Sequence, residues 1–184
     1  MPLSEPAARE PIHHREIHCR GFRRADGLWD IEGRMTDTKD YGFDSRYRGR
    51  VEAGMPVHDM KMRVTLDEQL VIRDIEVASD ANPFPNCAEI EPAYRNLVGT
   101  ALRPGWTKLV MKELGGVAGC THLTRLAQEL AVVALQTIMP LRSRDEAVTE
   151  GAQSKPGHLD GCHALATDGP IVREIAPRWY RGET

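Results

Sequence analysis

The run Gly115-Gly116-Val117-Ala118-Gly119-Cys120-Thr121-His122-Leu123 sets a thiol and an imidazole side by side after a glycine-rich approach. It ends a loop and opens the longest apolar helix pattern in the chain. Cys120 and His122 therefore fall at a helix N-terminus, where unpaired backbone N–H groups and the helix dipole favour a thiolate or a bound anion. The chemistry open to such a place is that of a reactive thiol, an acid–base imidazole or a metal ligand.

Other candidates stand where other elements begin. His58, followed by Asp59, lies at the mouth of a strand, and Cys87 opens a helix after Asn82-Pro83-Phe84-Pro85-Asn86. Sulfur and imidazole suit zinc or iron, and a tetrahedral site needs three or four such ligands. His58, Cys87 and Cys120 form one such set, which Asp59, His122 or the Asp160-Gly161-Cys162-His163 stretch could complete. The metal-free alternative takes His58 or His122 as base, with Asp59 as a further catalytic candidate. The helix N-terminus at Cys120 would then stabilise an oxyanion. A purely structural reading competes with both, because cysteine is among the most buried residue types and His122 can simply cap or pack on its helix.

Asp37-Thr38-Lys39, with Asp40 and Tyr41, makes a second set. Lys39 would act as a base or Schiff-base former if burial depressed its pKa. The residue types favour a turn after a strand, since Thr and Asp suit turns and Lys is normally exposed. His13 and His14 adjoin an N-terminal tail and read as solvent-exposed. Trp29, Trp106 and Trp179 read as packing residues, although Trp29 beside Asp30 also suits an aromatic pocket. A small-molecule substrate is expected to meet Trp29, Lys39 and Thr121.

The elements that must position these groups are legible in the patterning. Residues 1–11 read as a flexible tail and 12–184 as a single domain. Ile17, Cys19 and Gly21 alternate with polar residues, Ala25-Asp26-Gly27 supplies turn chemistry, and Leu28 to Met35 continues as a strand. A second hairpin runs from Val57 to Leu66, turns at Asp67-Glu68-Gln69 and returns from Leu70 to Ala78. Val71, Arg73, Ile75 and Val77 are expected on one face, and Ile72, Asp74 and Glu76 on the other. Helices are expected from Cys87 to Val98, Trp106 to Leu114 and Thr121 to Met139, the last ended by Pro140. Residues 142–157 read as a linker or mobile loop, and two short strands are expected around Thr167-Asp168-Gly169. Strands first and helices later give an α+β fold, a mostly antiparallel sheet of N-terminal hairpins packed against about three C-terminal helices.

Composition narrows the function classes. The chain has 184 residues, enough for one domain with a real core. Hydrophobic residues make up 41% and charged residues 28%, as in ordinary soluble proteins. A net charge of −3 offers no electrostatic case for nucleic acid or an anionic membrane. Arg20, Arg23, Arg24, Arg46, Arg48 and Arg50 are interspersed with acids and read as a solvated face. No apolar run approaches the ~20 residues that span a bilayer, and Met1 to Glu10 has no signal-peptide core. A cytoplasmic location is expected. Cys19, Cys87, Cys120 and Cys162 form no C-x-x-C pair and read as free thiols or ligands.

Several motifs together resemble one bacterial family. They are Arg23-Arg24-x-Asp26-Gly27-Leu28-Trp29-Asp30-Ile31-Glu32-Gly33, Asp37-Thr38-Lys39, Pro56-Val57-His58-Asp59-Met60, Gly115-Gly116, Gly119 to Leu123 and Cys162-His163-Ala164. In that order they look like the domain-of-unknown-function 2889 family. The resemblance names no reaction and implies a setting of aromatic-compound catabolism. At fold level, residues 56–138 also resemble a U-type iron–sulfur cluster scaffold, anchored by Met60-Lys61-Met62. That likeness would put His58 at an aspartate ligand, Cys87 near the second cysteine and Cys120 at the last. Pro56 stands where the first cysteine would be, and Gly119 precedes Cys120 where a histidine would stand.

The expectation is a small cytoplasmic catabolic enzyme of the lyase type, cleaving a C–C bond of an aromatic molecule by retro-aldol or proton-abstraction chemistry. The alternatives are a metal-binding or iron–sulfur carrier and a non-catalytic partner subunit of a catabolic enzyme. Zinc or iron is the expected metal if one is held. A homo-oligomer is a further expectation.

Overall fold

The computed structural model describes residues 3–145 and 155–182. The chain forms two compact units, residues 1–141 and 142–184. In the first, residues 3–12 carry no regular structure and are exposed. Then come β1 (His13–Arg23), β2 (Trp29–Lys39), β3 (Phe43–Ser45), β4 (Gly49–Val51), β5 (Pro56–Leu66) and β6 (Ile72–Ala81). A run of 3-10 turns over Cys87–Leu97 leads to α1 (Trp106–Leu114). A short 3-10 turn, Gly116–Ala118, leads to α2 (Thr121–Asp145).

The four long strands make one antiparallel sheet in the order β1-β2-β5-β6. The fold is therefore α+β, with N-terminal strands packed against later helices. The β1–β2 turn depends on Gly27, whose φ of 85° suits glycine, and on Asp26, which accepts the Leu28 N–H. Because side chains alternate along a strand, one sheet face collects Ile31, Met35, Met60, Met62, Val64, Leu66, Ile72 and Ile75. Leu123, Leu126, Leu130, Ala134 and Ile138 recur at helical spacing along α2 and complete the same core with Tyr94, Leu97, Val110 and Leu114. Gly33 keeps the middle of β2 low enough for Leu126 and Leu130 to lie over it.

The other sheet face is polar and cross-strand paired. Arg34 forks onto Asp59, Arg63 reaches Glu32 and Glu76, and Lys61 pairs with Asp80. A concavity of about 620 Å³ opens on this face between His18, Arg20, Glu32, Arg34, Lys61 and Arg63.

Several expectations change. In β6, Ile72 faces the core with Ile75, while Arg73 is exposed, because the register shifts between Thr65 and Leu66 and one extra residue enters the strand. A single inserted residue reverses the facing of everything beyond it. Val71 instead makes an isolated bridge to Ala101. Cys87–Leu97 forms 3-10 turns rather than an α-helix; Pro92 inside it has no N–H to give the ladder. Pro140 does not end α2, which runs to Asp145. Ile138 and Met139 still pack against the core beside the proline, so tertiary contacts hold the turn whose one backbone bond, to the Gln136 carbonyl, Pro140 cannot make. The β3–β4 hairpin lies in a stretch whose short strands carry no alternation of their own.

In the second unit, residues 146–154 of the expected 142–157 loop lie outside the described residues, and 142–145 are helical. The expected strands around Thr167-Asp168-Gly169 are absent among the described residues. Short helical turns stand there: His163–Leu165, α3 (Pro170–Ile175) and Pro177–Trp179. Proline at the first helical position favours such starts. Asp160 accepts the Thr167 N–H and pairs with Lys155. No helix among the described residues is long and apolar enough to cross a membrane.

Candidate functional site

The site is built on one row across three strands. The register of β1 with β2 sets Arg15 opposite Asp37, and that of β2 with β5 sets His58 opposite Asp37. One step along the same face lie Met35 and Met60, both buried. The row thus begins where the apolar floor ends, beside a bulge between Asp37 and Thr38. The first turn of α2 brings His122 to it.

Asp37 is the hub, only 3% exposed. Arg15 donates from Nε to Oδ1 and from Nη2 to Oδ2, both at 2.7 Å. His13 Nε2 is 2.9 Å from Oδ1, His58 Nδ1 is 3.1 Å from Oδ2 and His122 Nε2 is 3.6 Å from Oδ2. A carboxylate is acceptor-only, so His58 donates its Nδ1–H and leaves Nε2 as a free acceptor. The His58 and His122 rings lie against one another, tilted by 32°, with centroids 3.9 Å apart. His122 Nδ1 stands 3.9 Å from Cys120 Sγ.

Burial opposes ionisation of Asp37, but the Arg15 guanidinium, with His13 and His58, more than offsets it and holds the carboxyl down to about 2. Burial pushes the His58 imidazole below its ordinary value, against the pull of Asp37 and helped by Arg15 and Arg48. His122 is also lowered, by burial first and then by His58 and Arg15. Both rings are therefore neutral at pH 7 beside a permanent anion. Two stacked imidazolium rings would repel, so the pair shares its protons as a unit.

A proton titration followed by imidazole NMR is expected to show both midpoints below about 6.5. The unfolded chain then binds more protons below that pH. Stability from these groups is present above it and is lost as pH falls towards the folded midpoints. Midpoints at or above 6.5 would contradict the geometry.

The start of α2 is held rigidly. Cys120 N–H donates to Tyr94 Oη at 3.0 Å, Tyr94 Oη meets Thr124 Oγ1 at 2.9 Å, and Thr124 donates to Leu114 O at 3.1 Å. Gly119 has extended backbone, but a Cβ there would overlap the Leu114 carbonyl oxygen. Gly119→Ala is expected to cost about 1–3 kcal/mol and to shift His122 off Asp37. A denaturant melt together with the His122 resonance position checks this.

Among the expected residues, the structure brings His58 and His122 together. It does not bring Asp59 to them: neighbouring strand residues point to opposite faces, and Asp59 pairs with Arg34 on the polar side at 2.6 and 2.7 Å. Cys120 adjoins His122, but Cys87, half-buried at the start of the 3-10 run, joins no group of three donors among the described residues. The convergent donors are instead Asp37, His58 and His122, whose ligand atoms lie within 4.8 Å of one another. Trp29 is buried in the core at the far end of β2, Lys39 is half-buried at its near end and Thr121 is exposed.

Arg15 and His13 are the site residues sequence reasoning missed, and Asp37 was named only beside Lys39 in a set that favoured a turn. Asp37 was expected in a turn and is instead buried in β2; His13 is exposed, as expected, yet it belongs to β1 and reaches Asp37. The available signal was parity: Met35 and Asp37 share a face two residues apart, and a carboxylate on a core face demands partners.

Comparison with known families gives one match. The profile described as "Protein of unknown function (DUF2889)" covers residues 13–136, from the first site residue through all of α1 and most of α2. No curated protein and no solved structure matches the chain.

Proposed function

The chain belongs to the domain-of-unknown-function 2889 family, and from the site carried by the matched residues we propose an acid–base enzyme of the lyase type acting on an aromatic small molecule. The observation that supports it is the buried Asp37 carboxylate holding His58 by Nδ1 at 3.1 Å, with the imidazole neutral and Nε2 free. An acid–base imidazole needs this arrangement of orientation, neutral ring and counter-charge.

In the proposed cleavage, His58 Nε2 removes the proton of a β-hydroxyl group. The O–H electrons form the new carbonyl, the Cα–Cβ bond breaks, and its electron pair passes to the neighbouring carbonyl oxygen as an enolate. The imidazolium, stabilised by Asp37, returns the proton to carbon. The positive end of the α2 dipole favours the enolate charge. A panel of aromatic β-hydroxy acids and their thioesters, incubated with the protein in D2O and followed by NMR, tests this. Aldehyde release or deuterium at Cα is expected from wild type and not from His58→Gln. Equal rates in both would overturn it.

One observation favours a second reading, a divalent zinc or iron site: the convergence of Asp37, His58 and His122. Two imidazoles and a carboxylate suit either metal. Weighing against it, Arg15 already occupies both carboxylate oxygens and adds a positive charge. Metal content of the purified protein separates the two. Near-stoichiometric metal that is lost in His122→Ala supports the metal reading, and metal-free active protein supports the acid–base one.

A further inference from the structure

β1 is an edge strand of eleven residues, and every one is exposed except half-buried Cys19. Its register with β2 is unbroken from His13 to Arg23. Natural edges are protected by proline, lysine, bulges or short length. β1 has none of these four; the charges it carries are Glu16 and Arg20 on the polar face and Arg15 and Arg23 on the core side, where Arg15 is already neutralised by Asp37.

The free side of the strand can be assigned. Asp40 N–H donates to Ile12 O and Arg24 N–H donates to Leu28 O, so even-numbered residues bond towards β2. Odd-numbered residues from His13 to Arg23 present their N–H and C=O groups outward.

We propose that this edge pairs with the same edge of a second copy, antiparallel, about a two-fold axis through His18. The charges select the register. With His18 opposite itself, Glu16 faces Arg20 of the second copy, and the symmetry makes that ion pair twice. Ile17, exposed by 37%, then faces Cys19 across the interface, and His14 faces Phe22, exposed by 42%. Moving the register one step either way replaces both ion pairs by contacts of Arg20 with His14 or His18, and one of the two sets Arg15 against Arg23. Within one copy, Arg20 makes no ion pair among the described residues, and Glu16 makes contacts only with His14 and His18, at 3.5 Å, while feeling the more distant charge of Arg34. The narrow, hydrogen-bonded pairs of this register join odd residues to odd residues, as the outward groups require. The sheet becomes eight-stranded, and Arg23 of the second copy comes opposite His13 at the rim of the Asp37 row.

The inference is independent of the acid–base reading and is tested without a substrate. Sedimentation equilibrium is expected to show a dimer for wild type. Glu16→Arg and Arg20→Glu each bring like charges together and are expected to weaken it by about tenfold or more, with unchanged circular dichroism. The double swap, Glu16→Arg with Arg20→Glu, is expected to restore it. His18→Cys sets two thiols across the axis with Cα atoms about 4.5 Å apart, within disulfide range, so mild oxidation is expected to cross-link that variant and not wild type. A monomeric wild type, or a double swap no better than the single variants, would overturn the proposal.

Discussion

His58→Gln is expected to reduce turnover by about two to four orders of magnitude with little change in thermal stability. Glutamine keeps a donor able to reach Asp37 Oδ2 and fills much the same space, so the Arg15–Asp37 pair keeps its neighbour. It has no nitrogen that accepts and returns a proton. The comparison therefore separates proton transfer from architecture, and kcat with a parallel melt reads both. The pH profile adds a second readout. In wild type, kcat/KM falls on the acid side with a midpoint below about 6.5, because burial disfavours the imidazolium despite Asp37. That limb is expected to vanish in His58→Gln. His122→Gln, which leaves the Asp37–His58 bond in place, is expected to move the limb rather than remove it, since the His122 ring lies against His58 and burial is the main cause of the lowered His58 proton affinity.

Asp37→Asn is expected to produce the largest loss of stability at neutral pH, about 2–4 kcal/mol. The carboxylate is almost fully buried and is the shared acceptor for Arg15, His13 and His58. An amide offers one acceptor oxygen in place of two and no charge. Arg15 is partly exposed and can turn to water, which keeps the cost below that of a fully buried cation. The pH dependence carries the sharper test. A carboxyl held down to about 2 in the folded state, against about 3.9 unfolded, stabilises the fold fully above the unfolded value. That contribution, about 2.5 kcal/mol, is lost as pH falls from about 4 to 2. Denaturant unfolding is expected to show this acid limb in wild type and not in Asp37→Asn, so the two curves converge near pH 2. Parallel curves across that window would mean that Asp37 is not the anion of the row.

Much of the scaffold was legible because it rests on local period. The alternation from Val57 to Leu66 and the glycine at Gly27 placed both hairpins. The stripe from Leu123 to Ile138 placed α2, and Gly115-Gly116 placed its approach. The bulge at the Thr65–Leu66 step was not legible, since an extra residue leaves the composition of β6 unchanged while reversing its faces. Pro140 misled for a related reason. Local chemistry argues for a stop, whereas packing of the preceding turns carries the helix past it.

The sequence by itself determined the α+β class, the hairpins and the placing of His122 at the head of an apolar helix, because each depends on residues near one another in the chain. His58 and His122 were recognisable as chemistry-bearing groups at element starts. Only the tertiary structure decided their partner. Asp59 adjoins His58 in sequence and points away from it, while Asp37, twenty-one residues off, meets it across a β-ladder. Partners across a sheet are set by register, and register follows from burying a whole face rather than from any residue's own preferences.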